Sequence, residues 1–158
     1  MSMPSQITPP SPSDAAAITD ALYRAVLGID TNDLSLFKSA FVTDGSASAT
    51  MMGTTHSGTD AIIANVFRSV GPLDTTHFVS NVRVNARDAG EGKAKIYASA
   101  QAFHYRPGEG VDPSKTERLV SGGLYDVDVK RQWDGTWRVQ HWGIRFVWLE
   151  GNMAVITG

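Results

Sequence analysis

In the first half of the chain, apolar residues recur every three or four positions, the spacing of helices that bury one face. A first helix is predicted from Pro12 to Asp30, where turn-forming residues follow. Asp33 can cap a short second helix, and Thr59 can cap a third that ends before Pro72, because proline cannot continue it. The predicted inward-facing residues are Ile18, Leu22, Val26, Ile29, Leu34, Phe37, Phe41, Ile62, Ile63, Val66 and Phe67.

The second half has the alternating pattern of half-buried strands. Extended runs are predicted at residues 75–87, 93–106, 116–133 and 136–149. Turn-forming residues at 88–92 and 134–135 predict hairpins, so these runs form an antiparallel meander. A short strand at 47–51 and a loop at 53–58 come before the third helix. Helices followed by a sheet predict an α+β fold, with the helices packed on the concave face of the sheet.

One face of the second extended run carries mostly small side chains. Strand alternation places Ala94, Ile96, Ala98, Ala100, Ala102 and His104 on that face. Such a row leaves room beneath it, so we expect the sheet to curve over a cavity. The connection at 107–114, with two Gly and two Pro, is either a flap over this cavity or a loose loop, and the loose loop is the simpler interpretation.

Composition is typical of one globular domain: 158 residues, 42% of them hydrophobic and 19% charged. We predict a disordered leader rich in Pro and Ser at 1–13 and a single domain at 14–158. The start lacks the basic and apolar segments of a signal peptide, and no apolar run is long enough to span a bilayer. We therefore expect a cytoplasmic protein with no membrane partner.

Charge and residue usage argue against several classes of function. Fourteen basic and 16 acidic residues give a net charge of -2, with no cluster of Lys or Arg, so no nucleic-acid partner is expected. The absence of cysteine excludes disulfides, thiolate metal sites and cysteine nucleophiles. The four histidines lack His-x-His or His-Glu-x-x-His spacing, so no metal site is predicted.

Two histidines and an aspartate are the candidate proton-transfer groups. His77 and His104 lie on adjacent predicted strands, and Asp30 ends the first helix. Imidazole titrates near neutral pH, so such a set can move a proton without a metal or organic cofactor. Each residue also has a structural alternative, as a packed strand histidine or a helix cap. Of the other histidines, His56 is expected in a solvated loop and His141 in a structural role.

The order of four motifs resembles that of a known family. These motifs are Ile29-Asp30-Thr31-Asn32-Asp33-Leu34, Thr76-His77-Phe78, Gly122-Gly123-Leu124-Tyr125 and Trp133-Asp134-Gly135-Thr136-Trp137-Arg138. Their order is similar to that in the SnoaL-like branch of the cone-shaped α+β barrels, which also includes nuclear transport factor two and scytalone dehydratase. The likeness covers nearly all of residues 14–149. It implies a cone-shaped barrel of curved antiparallel sheet on three N-terminal helices.

The resemblance also implies a cofactor-free acid–base site. In scytalone dehydratases, and more distantly in dehydrochlorinases that remove HCl from cyclohexanes, an aspartate late in the first helix pairs with a histidine, and Asp30 and His77 match them. His104 matches the second histidine of the dehydratases. Arg131 roughly matches a dehydrochlorinase arginine that helps the leaving group depart, although a solvated strand end is the alternative. His77 is thus expected to be the base, Asp30 to orient it, and His104 to protonate a leaving hydroxyl or polarise a carbonyl.

Several positions depart from the dehydratase pattern. The tyrosine beside the aspartate is Ile29 here, and the second tyrosine falls among residues 47–50. A serine and an asparagine of a later strand fall near Gly123 and Tyr125. The dehydratase substrate, a reduced naphthol, therefore cannot be carried over to this chain.

The predicted substrate-binding residues are Phe103, Tyr125, Arg131 and Trp142. Tyr125 lies beside two glycines that clear space, so its hydroxyl can donate to a substrate oxygen, with packing as the alternative. The aromatic residues near the carboxyl end can wall a flat apolar ligand or simply fill the core; they are Trp133, Trp137, Trp142, Phe146 and Trp148. A homo-oligomer, dimer or trimer, is expected, with a subunit contact through Trp148, Leu149, Met153 and Val155.

Together these observations predict a cofactor-independent dehydratase or isomerase. Its small-molecule substrate is expected to be a largely apolar carbonyl or phenolic compound of the polyketide or terpenoid kind, made in secondary metabolism. An aldol-type cyclase of the same fold and a non-catalytic binding or association module remain as alternatives. An open cavity reached by both imidazoles would favour catalysis over binding.

Overall fold

The computed structural model describes residue 6 and residues 8–157. The helical elements are α1 (Pro12–Asp30), α2 (Leu34–Ser39), α3 (Thr59–Ile62), a π-helical turn (Ile63–Phe67), α4 (Arg68–Val70) and α5 (Ala154–Thr157). The strands are β1 (Ser48–Met51), β2 (Thr54–Ser57), β3 (Asp74–Asn85), β4 (Lys93–Tyr105), β5 (Leu119–Arg131) and β6 (Trp137–Gly151). The predicted α+β architecture is confirmed.

The predicted leader at 1–13 falls partly outside the described residues, which omit 1–5 and 7. In the described part, the carbonyl of Thr8 accepts a hydrogen bond from the N–H of Ala86, just beyond β3, at 2.8 Å. Ser11 then caps α1 with its hydroxyl.

All six strands form one sheet in the order β2-β1-β6-β5-β4-β3. The antiparallel meander from β3 to β6 is confirmed. The prediction of a loop at 53–58 is wrong, because most of this segment is strand β2, paired antiparallel with β1. Met52 and Gly53 both adopt positive φ and form the tight turn between the two strands. His56 consequently pairs with Ala49 and is partly buried rather than fully solvated. β1 runs parallel to β6.

Irregular pairing bends this sheet into a cone. The register shifts between Ser80 and Arg83 in β3, where Asn81 has a φ of 53°. It shifts twice more between β5 and β6, where Val147 and Gln140 are extra residues on β6. Extra residues on one strand increase its local bend and twist. Helices α1 to α4 and the π-helical turn then close over the concave face.

Helix ends follow the predicted capping in one case and depart from it in another. Asp33 caps α2 and accepts a hydrogen bond from the N–H of Leu36 at 2.9 Å. Thr59 does not cap the third helix, because Gly58 occupies that position at a φ of 86°, a left-handed conformation open to glycine. The third helix is also not continuous, since its middle turn, Ile63–Phe67, is π-helical.

The core lies between the helices and the concave face of the sheet. Gly28 lets α1 and α2 meet backbone to backbone, since a Cβ added there would lie 2.6 Å from the nitrogen of Phe37. The predicted inward-facing residues are buried except Leu34, which is 39% exposed. Two of the aromatic residues near the carboxyl end are exposed rather than packed in the core: Trp133, in the turn before β6, is 97% exposed and Trp148 is 45% exposed, whereas Trp142 is buried.

Candidate active site

A cavity of about 190 Å³ lies inside the cone. The small side chains of β4 provide the space, as predicted, with Ala100, Ala102 and His104 on its wall. The adjacent wall is formed by four alternate residues of β5, Leu119, Ser121, Gly123 and Tyr125, and α5 contributes Met153 and Ile156. Most of the lining is apolar, so electrostatic interactions inside it are weakly screened.

His77 and Asp30 form a hydrogen-bonded dyad at the edge of this cavity. The carboxylate of Asp30 accepts from the backbone N–H of His77 at 2.8 Å and from its ring Nδ1–H at 2.6 Å. The side chains of Asp30 and His77 are nearly buried, 11% and 10% exposed respectively. His77 lines the cavity, whereas Asp30 lines a cleft on the other side of the dyad. Asp30 therefore binds the histidine rather than capping its helix, and it leaves Nε2 as the ring nitrogen available to the cavity.

His104 lies beside His77 with its ring at a right angle. The two ring centroids are 5.3 Å apart, with an interplanar angle of 88°. His104 is 4% exposed, and its Nδ1–H donates to the carbonyl of Leu119 at 3.2 Å. Burial, with a smaller contribution from His77, lowers the pKa of His104 from 6.5 to about 4. His104 is therefore neutral near pH 7.

This lowered pKa predicts a pH-dependent stability. Between about pH 6.5 and about pH 4 the unfolded chain binds a proton at His104 that the folded chain does not, so the free energy of unfolding falls as the pH falls through this range. The full effect is about 3 kcal/mol. Urea denaturation at about pH 7 and about pH 4.5 should show a larger decrease in the free energy of unfolding for the wild type than for His104→Phe. Equal pH dependence of the two proteins would contradict this assignment.

Tyr125 and Trp142 form the aromatic wall. Their rings meet edge to face, with centroids 5.3 Å apart and an interplanar angle of 88°. Burial, together with the negative charge of Asp30, raises the pKa of Tyr125 above its ordinary 10.0, so its hydroxyl stays protonated. The Trp142 Nε1 atom is buried without a hydrogen-bond partner in the part of the chain that the structure describes. Both residues line the cavity.

Comparison with known proteins identifies the family. The model of the SnoaL-like domain matches residues 11–143. The protein belongs to the SnoaL-like family. It is also 43% identical, over 97% of its own length and 95% of the other chain, to the "Terrestric acid biosynthesis cluster protein E" of Penicillium crustosum.

Solved structures show the same fold at lower identity. One is a Novosphingobium aromaticivorans protein provisionally identified as a scytalone dehydratase, with a TM-score of 0.72, 18% identity and coverage of 89% of this chain and 88% of that one. Another is a hexachlorocyclohexane dehydrochlorinase from Novosphingobium barchaimii, with a TM-score of 0.69, 18% identity and coverage of 89% and 91%. These likenesses confirm the cone-shaped barrel expected from the resemblance.

Two predicted substrate-binding residues of this SnoaL-like protein lie outside the cavity. Phe103 precedes His104 on β4, so alternation turns it to the outer face, where its ring meets Phe78 at 6.2 Å. Arg131 ends β5, and its guanidinium lies 5.7 Å from the ring of Trp137. It lies six positions beyond Tyr125, about 20 Å along the strand. Neither residue is assigned to the site.

Other residues of the SnoaL-like cavity were not found from the sequence. Ser121 shares its strand face with Tyr125, so parity could have identified it. Asn65 and Ser69 come from the π-helical turn and α4, where no regular helical spacing predicts them. The C-terminal residues predicted to form a subunit contact do not share one surface. Met153 lines the cavity and Val155 is buried in the core.

Two further properties of the described residues bear on possible partners. No group of three or more His, Cys, Asp or Glu among them could hold a metal ion. None of their helices is both long and apolar enough to cross a membrane.

Proposed function

We propose that this protein is a cofactor-independent dehydratase or isomerase that acts on a small, largely apolar carbonyl or phenolic metabolite. The observation that carries the proposal is the His77–Asp30 dyad at the edge of an apolar cavity. The relative from Penicillium crustosum is named for a biosynthesis cluster, which supports a role in secondary metabolism. A polyketide or terpenoid substrate is consistent with the apolar lining.

The chemistry starts at His77. Its Nε2 takes a proton from the carbon next to a carbonyl, and the electron pair moves onto the carbonyl oxygen as an enolate. Tyr125, held protonated by burial, can donate a hydrogen bond to that oxygen. Asp30 keeps the ring proton on Nδ1 and stabilises the imidazolium.

The second half of the reaction returns the same proton. In a dehydration the enolate expels a hydroxyl from the neighbouring carbon, and the His77 imidazolium protonates it to water. In an isomerisation the imidazolium returns the proton to another carbon. Protons balance in both cases, so no cofactor is required.

The expected role of His104 as proton donor is revised. Its one ring proton is directed to the carbonyl of Leu119, and burial keeps the ring neutral. The resting ring thus has no proton facing the cavity, and we assign the return of the proton to His77 instead.

The alternative of an aldol-type cyclase with an acidic base is less well supported. Such an enzyme needs a carboxylate in contact with the substrate, and Asp30 is not among the residues that line the cavity. The cavity is also open to both imidazoles, which favours catalysis over a purely associating module.

Product analysis tests the proposal directly. Extract from a producing culture that lacks the gene for this protein should accumulate the substrate. Purified protein added to it should yield a compound lighter by one water, or an isomer of equal mass, detected by mass spectrometry. His77→Ala should form none of it, whereas Arg131→Ala, altered at the far end of β5, should form it normally. Equal product formation by His77→Ala would overturn the proposal.

A further inference from the structure

The hydrogen bonds of the two cavity histidines determine which atoms of their rings are left for a ligand. Both histidines direct their Nδ1–H groups away from it, His77 to the carboxylate of Asp30 and His104 to the carbonyl of Leu119. A histidine whose single ring proton is on Nδ1 has a lone pair, on Nε2, as its remaining hydrogen-bonding group. The two rings stand 5.3 Å apart at a right angle, so the two acceptors belong to one ligand site.

The two histidines differ in the group that accepts the hydrogen bond from Nδ1–H. His77 is supported by a carboxylate, which stabilises a positive ring and so suits a base. His104 is supported by a neutral carbonyl in a buried position beside another histidine, which disfavours a positive ring. His104 is thus fitted to accept a hydrogen bond without taking the proton.

We infer that His104 accepts a hydrogen bond from a hydroxyl group of the substrate, so that the site takes hydroxylated compounds and rejects their O-methyl counterparts. The inference rests on the proposed function for the identity of the reacting ligand, and it specifies the chemical class of that ligand. Within the described chain, the Nε2 of His104 has no hydrogen-bond partner. An ether or carbonyl oxygen placed there would set lone pair against lone pair, and the acceptor would remain unsatisfied in a buried site.

Two hydroxyl groups of the cavity complement this acceptor. Tyr125 and Ser121 carry hydroxyls that can donate to a substrate carbonyl. Ser121 lies on β5 directly opposite Ala102, two residues before His104 on β4. A compound with both a carbonyl and a free hydroxyl would satisfy the two kinds of group together. Such a hydroxy carbonyl compound is what a dehydratase of this type consumes.

The resting state of His104 can be measured in the wild-type protein. ¹⁵N NMR of the imidazole nitrogens near neutral pH should show a neutral ring with the proton on Nδ1. Adding phenol should shift the Nε2 resonance of His104, whereas anisole should leave it unchanged. A proton on Nε2, or a positively charged ring, would overturn the inference without any need for a variant.

Binding of the same two probes provides the second test. Phenol should bind the wild type about tenfold more tightly than anisole, its O-methyl counterpart. In His104→Phe the two probes should bind with equal affinity. His141→Phe is the matched control, because His141 binds Ser48 on the opposite face of the sheet and does not line the cavity. It should keep the wild-type preference. An equal affinity of the wild type for both probes, or a preference that survives in His104→Phe, would overturn the inference.

The two proposals can fail separately. If the proposed function is wrong, His77→Ala will still turn over the substrate. That result would leave the binding of phenol and anisole beside His104 unchanged. Failure of the hydroxyl inference would appear in the probe measurements while His77→Ala remained inactive.

Discussion

Replacing His77 with alanine should lower kcat by about two to four orders of magnitude, the range typical of a lost general base. The variant has no group at this position that can take the substrate proton, since His104 is buried and has a pKa of about 4. Turnover of the substrate isolated from the gene-deleted culture, followed at saturating concentration, measures the effect.

The control must separate chemistry from folding. Asp30 keeps its hydrogen bond from the backbone N–H of residue 77 in the variant, so α1 and β3 stay connected. Thermal unfolding and circular dichroism should show a folded protein. His141→Ala, altered on the outer face, should retain wild-type kcat. A folded His77→Ala protein with wild-type turnover would remove the base assignment.

Replacing Asp30 with asparagine should lower kcat by about two to four orders of magnitude while leaving KM nearly unchanged. Asp30 accepts two hydrogen bonds from His77, and an amide presents an oxygen to one donor but an N–H to the other. The ring then relieves the clash by moving its proton to Nε2, so the lone pair facing the cavity is lost. KM stays close to the wild-type value because Asp30 does not line the cavity.

A spectroscopic measurement distinguishes this positioning role from general destabilisation. ¹⁵N NMR should show the His77 proton on Nδ1 in the wild type and on Nε2 in Asp30→Asn. Asp33→Asn is the matched control, because Asp33 caps α2 and asparagine caps helices equally well. It should retain wild-type kcat and stability. An Asp30→Asn protein with normal kcat, or with a raised KM alone, would contradict the assigned role.

Local patterns were sufficient for most of the fold. Helical spacing and capping found α1 and α2, and strand alternation found the row of alanines that opens the cavity, because these signals depend only on neighbours along the chain. The β1–β2 hairpin was missed, since its turn uses Met52 in a conformation that non-glycine residues rarely adopt.

The candidate site was predicted in part. Asp30, His77 and His104 were predicted from residue type and position, the family resemblance gave them roles, and the structure brings these three together. Phe103 could have been excluded from the sequence, because adjacent strand residues face opposite sides. Arg131 could not be placed by parity, since it shares a strand face with Tyr125 and only its distance along the strand separates them.

The sequence by itself therefore determined the succession of helices and strands, the small-residue face of β4 and the residue types able to transfer a proton. Only the tertiary structure decided which of those residues share a cavity, and where the proton of each histidine resides. The physical reason is that a bent sheet joins positions far apart in the chain, as when the carbonyl of Leu119 meets His104. The protonation state of a buried ring then depends on burial and on partners that no local pattern encodes.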